Sequence, residues 1–393
     1  MKVSLLTLAC LALLSAAKAA DVNVTPRGDL DNSWHQFQGQ KKGHVAFLGG
    51  SITEMEGYRP MVCELLQKRF PETQFAFTAA GVSSTCSTTG AFRFRDEVLS
   101  KGPVDLLFVE FAVNDDQDAG HTREECIRGM EGVIRHLRLT NPRADIVMTF
   151  FLNESSMEKY RSNQTPLPIS AHTEVAERYQ VSTINLAKTV TSRIASGEFD
   201  WKKFGGVHPA PFGNRIAADM IAELFESKWG TPPQGVAKPH LLPEKPVDEK
   251  NYSKGRFVEA QELQLKEGWN VQTPDWKSLP GGKRERFTKL PLVEATQAGA
   301  ELGLAFEGTA VGAYVLAGPD AGIVEARIDG GEPVKVNLFH RFSSGLHYPR
   351  TVMFADTLPE GKHVLKLKIS EEKDAKSVGH AFRGLHFVVN DGK

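Results

Sequence analysis

One serine and one distant histidine frame the chemistry available to this chain. Gly49-Gly50-Ser51-Ile52-Thr53 follows the apolar run 44–48, and Gly206-Val207-His208-Pro209 lies far downstream. A strand that stops at two glycines and a serine delivers one hydroxyl to the carboxyl edge of a parallel sheet, where open α/β folds bind ligands. That hydroxyl is a weak nucleophile until a base sits beside it, and His208 is the natural base. Two further pieces fall between them: Ala79-Ala80-Gly81-Val82-Ser83 after the apolar run 75–78, and Val113-Asn114-Asp115-Asp116 after the run 106–111. Acyl transfer requires a nucleophile, a general base and donors aimed at the developing oxyanion. Ser51 fits the first role and His208 the second. The backbone N–H groups of Ser51 and Gly81 and the side-chain amide of Asn114 fit the third.

The same residues also have plain structural readings. Ser51 is a good helix N-cap, and Glu54 three residues on would complete a capping box. Asn114-Asp115-Asp116 reads equally well as a turn and cap, and His208 as a loop residue. Four such blocks in order, each tied to a strand end or to the last helix, favour one shared site. The carboxylates Glu54, Glu56, Glu110, Asp115, Asp116 and Asp118 offer a second chemistry, since a pair at the right separation cleaves a glycosidic bond. Glu56 and Asp118 read as solvated loop charges. Arg59, Arg93 and Glu54 are candidate substrate contacts; the arginines suit bidentate anion binding but have local acids such as Asp96 and Glu97 to pair with.

The elements that must position these residues follow from periodicity. From 44 to about 229, short apolar runs at 45–48, 75–78, 106–111, 146–151 and 181–185 alternate with helical patterns at 58–70, 122–139, 169–179 and 214–229. That alternation predicts a parallel sheet with helices on both faces. Five prolines between 231 and 250 predict an exposed linker, 231–255. Beyond it the helical period is lost. Short strand-like runs recur at 256–260, 303–306, 311–316, 323–328, 334–337, 364–369 and 385–389, which predicts a β-sandwich of jelly-roll type over 256–393. Aromatic residues there, including the stretch Phe339-His340-Arg341-Phe342, read as core or turn residues, with a loop reaching the cleft as the alternative.

With 47 basic and 48 acidic residues, the chain has no basic excess to recruit nucleic acid. Lys2, the apolar stretch 3–17 and Ala17-Lys18-Ala19 read as a signal peptide over 1–20. The expectation is therefore a secreted or periplasmic protein, with no later segment apolar enough for a membrane span. With Cys10 in the signal peptide, the mature chain keeps Cys63, Cys86 and Cys126, which permit one disulfide at most; their spacing matches no zinc motif, and buried small residues is the plain reading.

Taken together, the four blocks resemble those of an SGNH hydrolase, a GDSL-type esterase with a Gly-Gly-Ser-Ile-Thr first block. Ser51, Gly81, Asn114 and His208 match the four residues that name the family, and the resemblance covers about half of the chain, 45–229. It implies a flavodoxin-like three-layer α/β/α sandwich and ester hydrolysis with no metal and no cofactor. For members with this first block and a β-sandwich partner, it implies removal of acetyl groups from a carbohydrate. One position departs from the pattern: the family usually carries Asp three residues before the His, and Gly205 stands there. Three readings follow. The first is a Ser51–His208 dyad with a backbone carbonyl orienting the imidazole. The second recruits a carboxylate from elsewhere, with Asp200, Glu110, Asp115 and Glu54 as candidates. The third is a protein that is no esterase, either a glycoside hydrolase using carboxylates or a non-catalytic glycan-binding protein.

Overall fold

The computed structural model describes residues 23–391, so the expected signal peptide lies outside the described residues. The first domain is built on β1 (Val24–Thr25), β2 (Lys42–Gly49), β3 (Gln74–Gly81), β4 (Leu106–Glu110), β5 (Asp145–Thr149) and β6 (Ser182–Ile184). Their order is β1-β6-β5-β4-β2-β3. All neighbours run parallel except β1, which pairs antiparallel with β6. Without that two-residue edge strand, the order is the flavodoxin-like one, whose crevice opens where the winding reverses. Here the reversal lies between β2 and β4, the strands that lead into Ser51 and Asn114. Both strands are buried almost throughout, which explains their continuous apolar runs.

Two helix layers cover the sheet. Tyr58–Arg69 packs on Pro211–Trp229, while Ser87–Glu97 packs on Arg123–Thr140, which packs in turn on Leu167–Arg178. Ser87–Glu97 has no clear signature in the sequence, because it opens Ser87-Thr88-Thr89-Gly90 and reads as a loop. It forms because eight of its eleven residues are buried, some of them against the strand Gly255–Val258 of the second domain.

The second domain is an antiparallel sandwich of two sheets. One orders Tyr348–Ala355, Val311–Ala317, Phe382–Asn390, Leu292–Ala295 and Asn270–Gln272, with Gly255–Val258 also on Phe382–Asn390. The other orders Val334–Asn337, Ile323–Ile328, Gly361–Ile369, Glu301–Gly308 and Leu263–Leu265. The core between the sheets is a cluster of its own. Phe257, Tyr314, Leu316, Leu385 and Val388 belong instead to the core cluster of the α/β domain. The two domains thus share continuous apolar packing.

The proline-rich segment is not an exposed tether. His240 Nε2 lies 2.6 Å from the buried Asp145 carboxylate, and Val247 and Asp248 donate their N–H groups to Glu131. Tyr252 is buried against Phe92. Glu131 and Asp145 are buried acceptors that the segment satisfies, so it is strapped to the first domain. Among the described residues no helix is long and apolar enough to cross a membrane. Cys63, Cys86 and Cys126 are all free thiols.

Candidate active site

Ser51 opens the short helix Ser51–Glu54 directly after β2, with Gly50 as its N-cap. His208 sits in the turn between Trp201–Phe204 and Pro211–Trp229, and its Nε2 lies 2.8 Å from Ser51 Oγ. That is the geometry of a hydroxyl with its general base. Gly81 ends β3 in register with Gly49. A Cβ at Gly81 would stand 2.2 Å from the Glu54 amide nitrogen, so only glycine lets β3 close onto the nucleophile helix. Asn114 begins the π-helical segment Asn114–Ala119 after β4 and is 2% exposed. The structure thus gathers all four sequence-predicted residues at one sheet edge.

Among the described residues no carboxylate completes a triad. Gly205 adopts φ 109°, and a Cβ there would stand 2.0 Å from the Ala210 nitrogen, so the main chain itself excludes a side chain. Each candidate for the third member is committed elsewhere. Asp200 caps the following helix by accepting from the Lys203 N–H at 2.7 Å. Glu54 accepts from Ser83 N–H at 2.8 Å and pairs with Arg286 at 2.6 Å. Burial alone would raise the Glu54 pKa, but Ser83 and Arg286 hold it below the ordinary value. Asp115 is fully buried, accepts from Ser87 N–H and Oγ–H, and lies 2.9 Å from His172 Nε2. Burial would push its carboxyl up, yet the facing His121 and His172 hold it well below the usual range. The expected orienting carbonyl is absent as well: among the described residues nothing bonds to His208 Nδ1.

Glu110, at the end of β4, lies under the nucleophile turn. Its Oε1 accepts from Gly50 N–H at 3.0 Å and from the Thr53 hydroxyl at 2.8 Å. Burial pushes its pKa up to about 8, so near neutrality it is largely an uncharged acid. The Ser51/Glu54 capping box does not form, because Glu54 is drawn to Ser83 instead.

The arginines expected at substrate hold structure. Arg59 pairs with Glu56 and donates to Thr53 O at 3.2 Å. Arg93 is fully buried, donating to Gly49 O at 2.9 Å and to Glu97 at 2.6 Å. The sequence reading missed residues from the second domain. Arg286 donates to Gly81 O at 3.1 Å, Arg284 holds Ser83 O and Ser84 Oγ, and His340 and Arg341 reach the Asn114–Ala119 segment. Nothing local marks such long-range contacts, although the loop around His340 had a reach toward the cleft among its alternatives.

The geometry can be set beside known proteins. Residues 47–216 match the GDSL-like Lipase/Acylhydrolase family. No curated protein matches the chain. The crystal structure of a two-domain esterase active on acetylated mannans, co-crystallised with mannopentaose, resembles this chain with a TM-score of 0.75 at 18% identity. The likeness covers 94% of this chain and 97% of that one. A second crystal structure of a two-domain esterase active on acetylated mannans gives the same score and identity over 94% and 98%. At that identity the likeness is one of fold, and it spans both domains. The match over residues 47–216 and the two-domain likeness thus support an SGNH hydrolase of GDSL-like type in the α/β domain, with an extra antiparallel β-domain attached.

Proposed function

We propose that the protein is an exported serine esterase that removes O-acetyl or similar acyl groups from a carbohydrate through a Ser51–His208 dyad. The observation that carries the reading is the 2.8 Å contact between Ser51 Oγ and His208 Nε2 at the strand ends that also bring Gly81 and Asn114. In the forward step Ser51 Oγ attacks the acyl carbon and His208 Nε2 takes the hydroxyl proton. The amides of Ser51, Gly81 and Asn114 face the oxyanion. Collapse breaks the bond to the sugar oxygen, which leaves with the proton from His208. Water, activated by the same imidazole, then cleaves the acyl-enzyme.

The two-domain neighbour active on acetylated mannans supports an acetylated polysaccharide as the substrate class. The apolar segment 3–17 with Ala17-Lys18-Ala19 supports export. The internal partners of Glu54, Glu110 and Asp115 argue against a glycosidase, which needs two carboxyl groups facing the sugar.

The test is acetate release from 4-nitrophenyl acetate and from a panel of acetylated glycans. Ser51→Ala should lose roughly 10⁴-fold or more of kcat with folding intact. Full activity in that variant, or free sugar released in place of acetate, would overturn the reading.

A further inference from the structure

We propose that Asp118 is a positioning residue that fixes which way the Asn114 amide points, and that the β-domain holds Asp118 in place. The inference rests on the proposed role of Asn114 as an oxyanion donor.

Asn114 Nδ2 donates to Asp118 Oδ2 at 2.6 Å, four residues along the same π-helical segment. Asn114 Oδ1 is buried without a partner among the described residues. It lies against Gly50, where an added Cβ would stand 2.1 Å away from it. The two ends of an amide have nearly the same shape and opposite polarity. Turned one way, Asn114 offers N–H to a developing negative charge; turned the other way, it offers a lone pair. A carboxylate accepts and does not donate, so the bond to Asp118 selects the first orientation. With Nδ2 tied through one hydrogen, the second N–H is left for the oxyanion.

Asp118 is not the solvated loop charge that its sequence context suggests. His340 Nε2 lies 2.9 Å from Asp118 O, Arg341 donates to Gln117 O, and the Tyr348 hydroxyl faces the Asp118 carboxyl. All three residues belong to the β-domain. Burial and the nearby Arg350 hold the His340 pKa down to about 4, so its ring is neutral at working pH. The Phe342 N–H lies 3.4 Å from His340 Nδ1, which assigns the ring proton to Nε2 and makes it the donor to Asp118 O. The His340 ring also stacks on Tyr348, with centroids 4.3 Å apart at 16°. The β-domain thereby clamps the segment that carries the amide.

A double-mutant cycle on the full chain with an activated acetate ester tests this. Asp118→Ala should lower kcat about 10- to 100-fold, within the loss seen when a whole oxyanion donor is removed, with KM nearly unchanged. Asp118→Asn, whose Oδ1 can accept the same bond, should recover most of that loss. In the Asn114→Ala background, Asp118→Ala should cost nothing more, because no amide remains to orient. His340→Ala with Arg341→Ala should lower kcat in the same sense, and serves as the test if Asp118→Ala does not fold. Wild-type kcat in Asp118→Ala, or multiplicative losses in the double variant, would overturn the positioning role. If Asn114→Ala itself leaves kcat unchanged, the oxyanion assignment falls and the positioning role with it. If Asn114→Ala slows the reaction and Asp118→Ala does not, the positioning role alone falls.

Discussion

Glu110 gives the sharpest handle on the electrostatics beneath the nucleophile. Its carboxyl is 1% exposed and its pKa is raised by burial from an ordinary value of 4.5 to about 8. The folded state therefore keeps a proton that the unfolded chain has released between these two values. The sign follows: this contribution to stability is fully present below pH 4.5 and is lost as pH rises through about 8. Each pH unit in that window removes about 1.4 kcal/mol, which sets a ceiling of about 5 kcal/mol across the whole shift. Glu110→Gln removes the titration. The glutamine oxygen can still accept from Gly50 and Thr53, but its NH2 replaces Oε2, which has no partner among the described residues. An unpaired buried donor costs about 1–3 kcal/mol, which the roughly 1.4 kcal/mol already lost by the wild type at pH 5.5 largely offsets, so the two proteins should be close in stability there. With rising pH the variant should become the more stable protein, by about 2–4 kcal/mol at pH 8.5. Urea unfolding of both proteins at pH 5.5, 7.0 and 8.5 measures it. A gap that stays constant over this range would mean that Glu110 is ionised throughout, and the burial argument would fail. The kcat/KM profile should agree: an alkaline fall near pH 8 in the wild type, as charge appears behind Gly50, and none from this source in Glu110→Gln.

Other outcomes follow from the same structure. Arg93→Met should destabilise the fold by about 3–5 kcal/mol in urea, because it strips Gly49 O and Glu97 of a fully buried partner. His240→Ala should leave the Asp145 carboxylate with only Ser33 as hydrogen-bond partner among the described residues, lower Tm and admit protease to the 231–255 strap; an unchanged cleavage pattern would refute the anchoring. Burial raises the thiols of Cys63 to about 11 and of Cys126 to about 12, so iodoacetamide at pH 7 should spare both in the native protein. All three thiols, Cys86 included, should label in urea without reductant, and mass spectrometry of the peptides counts them.

Much of the first domain is legible in the sequence because buried parallel strands leave an unambiguous trace. Residues 45–48 and 106–111 read as strands because both faces of β2 and β4 are covered. Tyr348–Ala355 does not: it carries Pro349 and Arg350 and alternates only loosely, and its strand identity comes from pairing with Val311–Ala317. Ser87–Glu97 is likewise fixed by what packs on it, against its own Ser/Thr/Gly composition. At the site, the types and order of Ser51, Gly81, Asn114 and His208 suffice to group them. Arg59, Arg93 and Glu54 mislead because an arginine or glutamate near a cleft carries no mark of whether it faces substrate or a neighbouring backbone. Asp118 was hidden by the reverse error. In an ordinary loop, Asp116 and Asp118 would both be solvated; the π-helical turn brings Asp118 back onto Asn114.

The missing carboxylate is a property of the main chain and not of one side chain. Gly205→Asp would need a left-handed backbone and would drive its Cβ into Ala210, so a point substitution there cannot supply the carboxylate. What Gly205 leaves instead is an imidazole on an exposed residue, with nothing bonded to its Nδ1 among the described residues. Added formate should then raise the rate where a closed triad would be indifferent to it, and a rate flat in formate would show that the open side of the imidazole needs no partner.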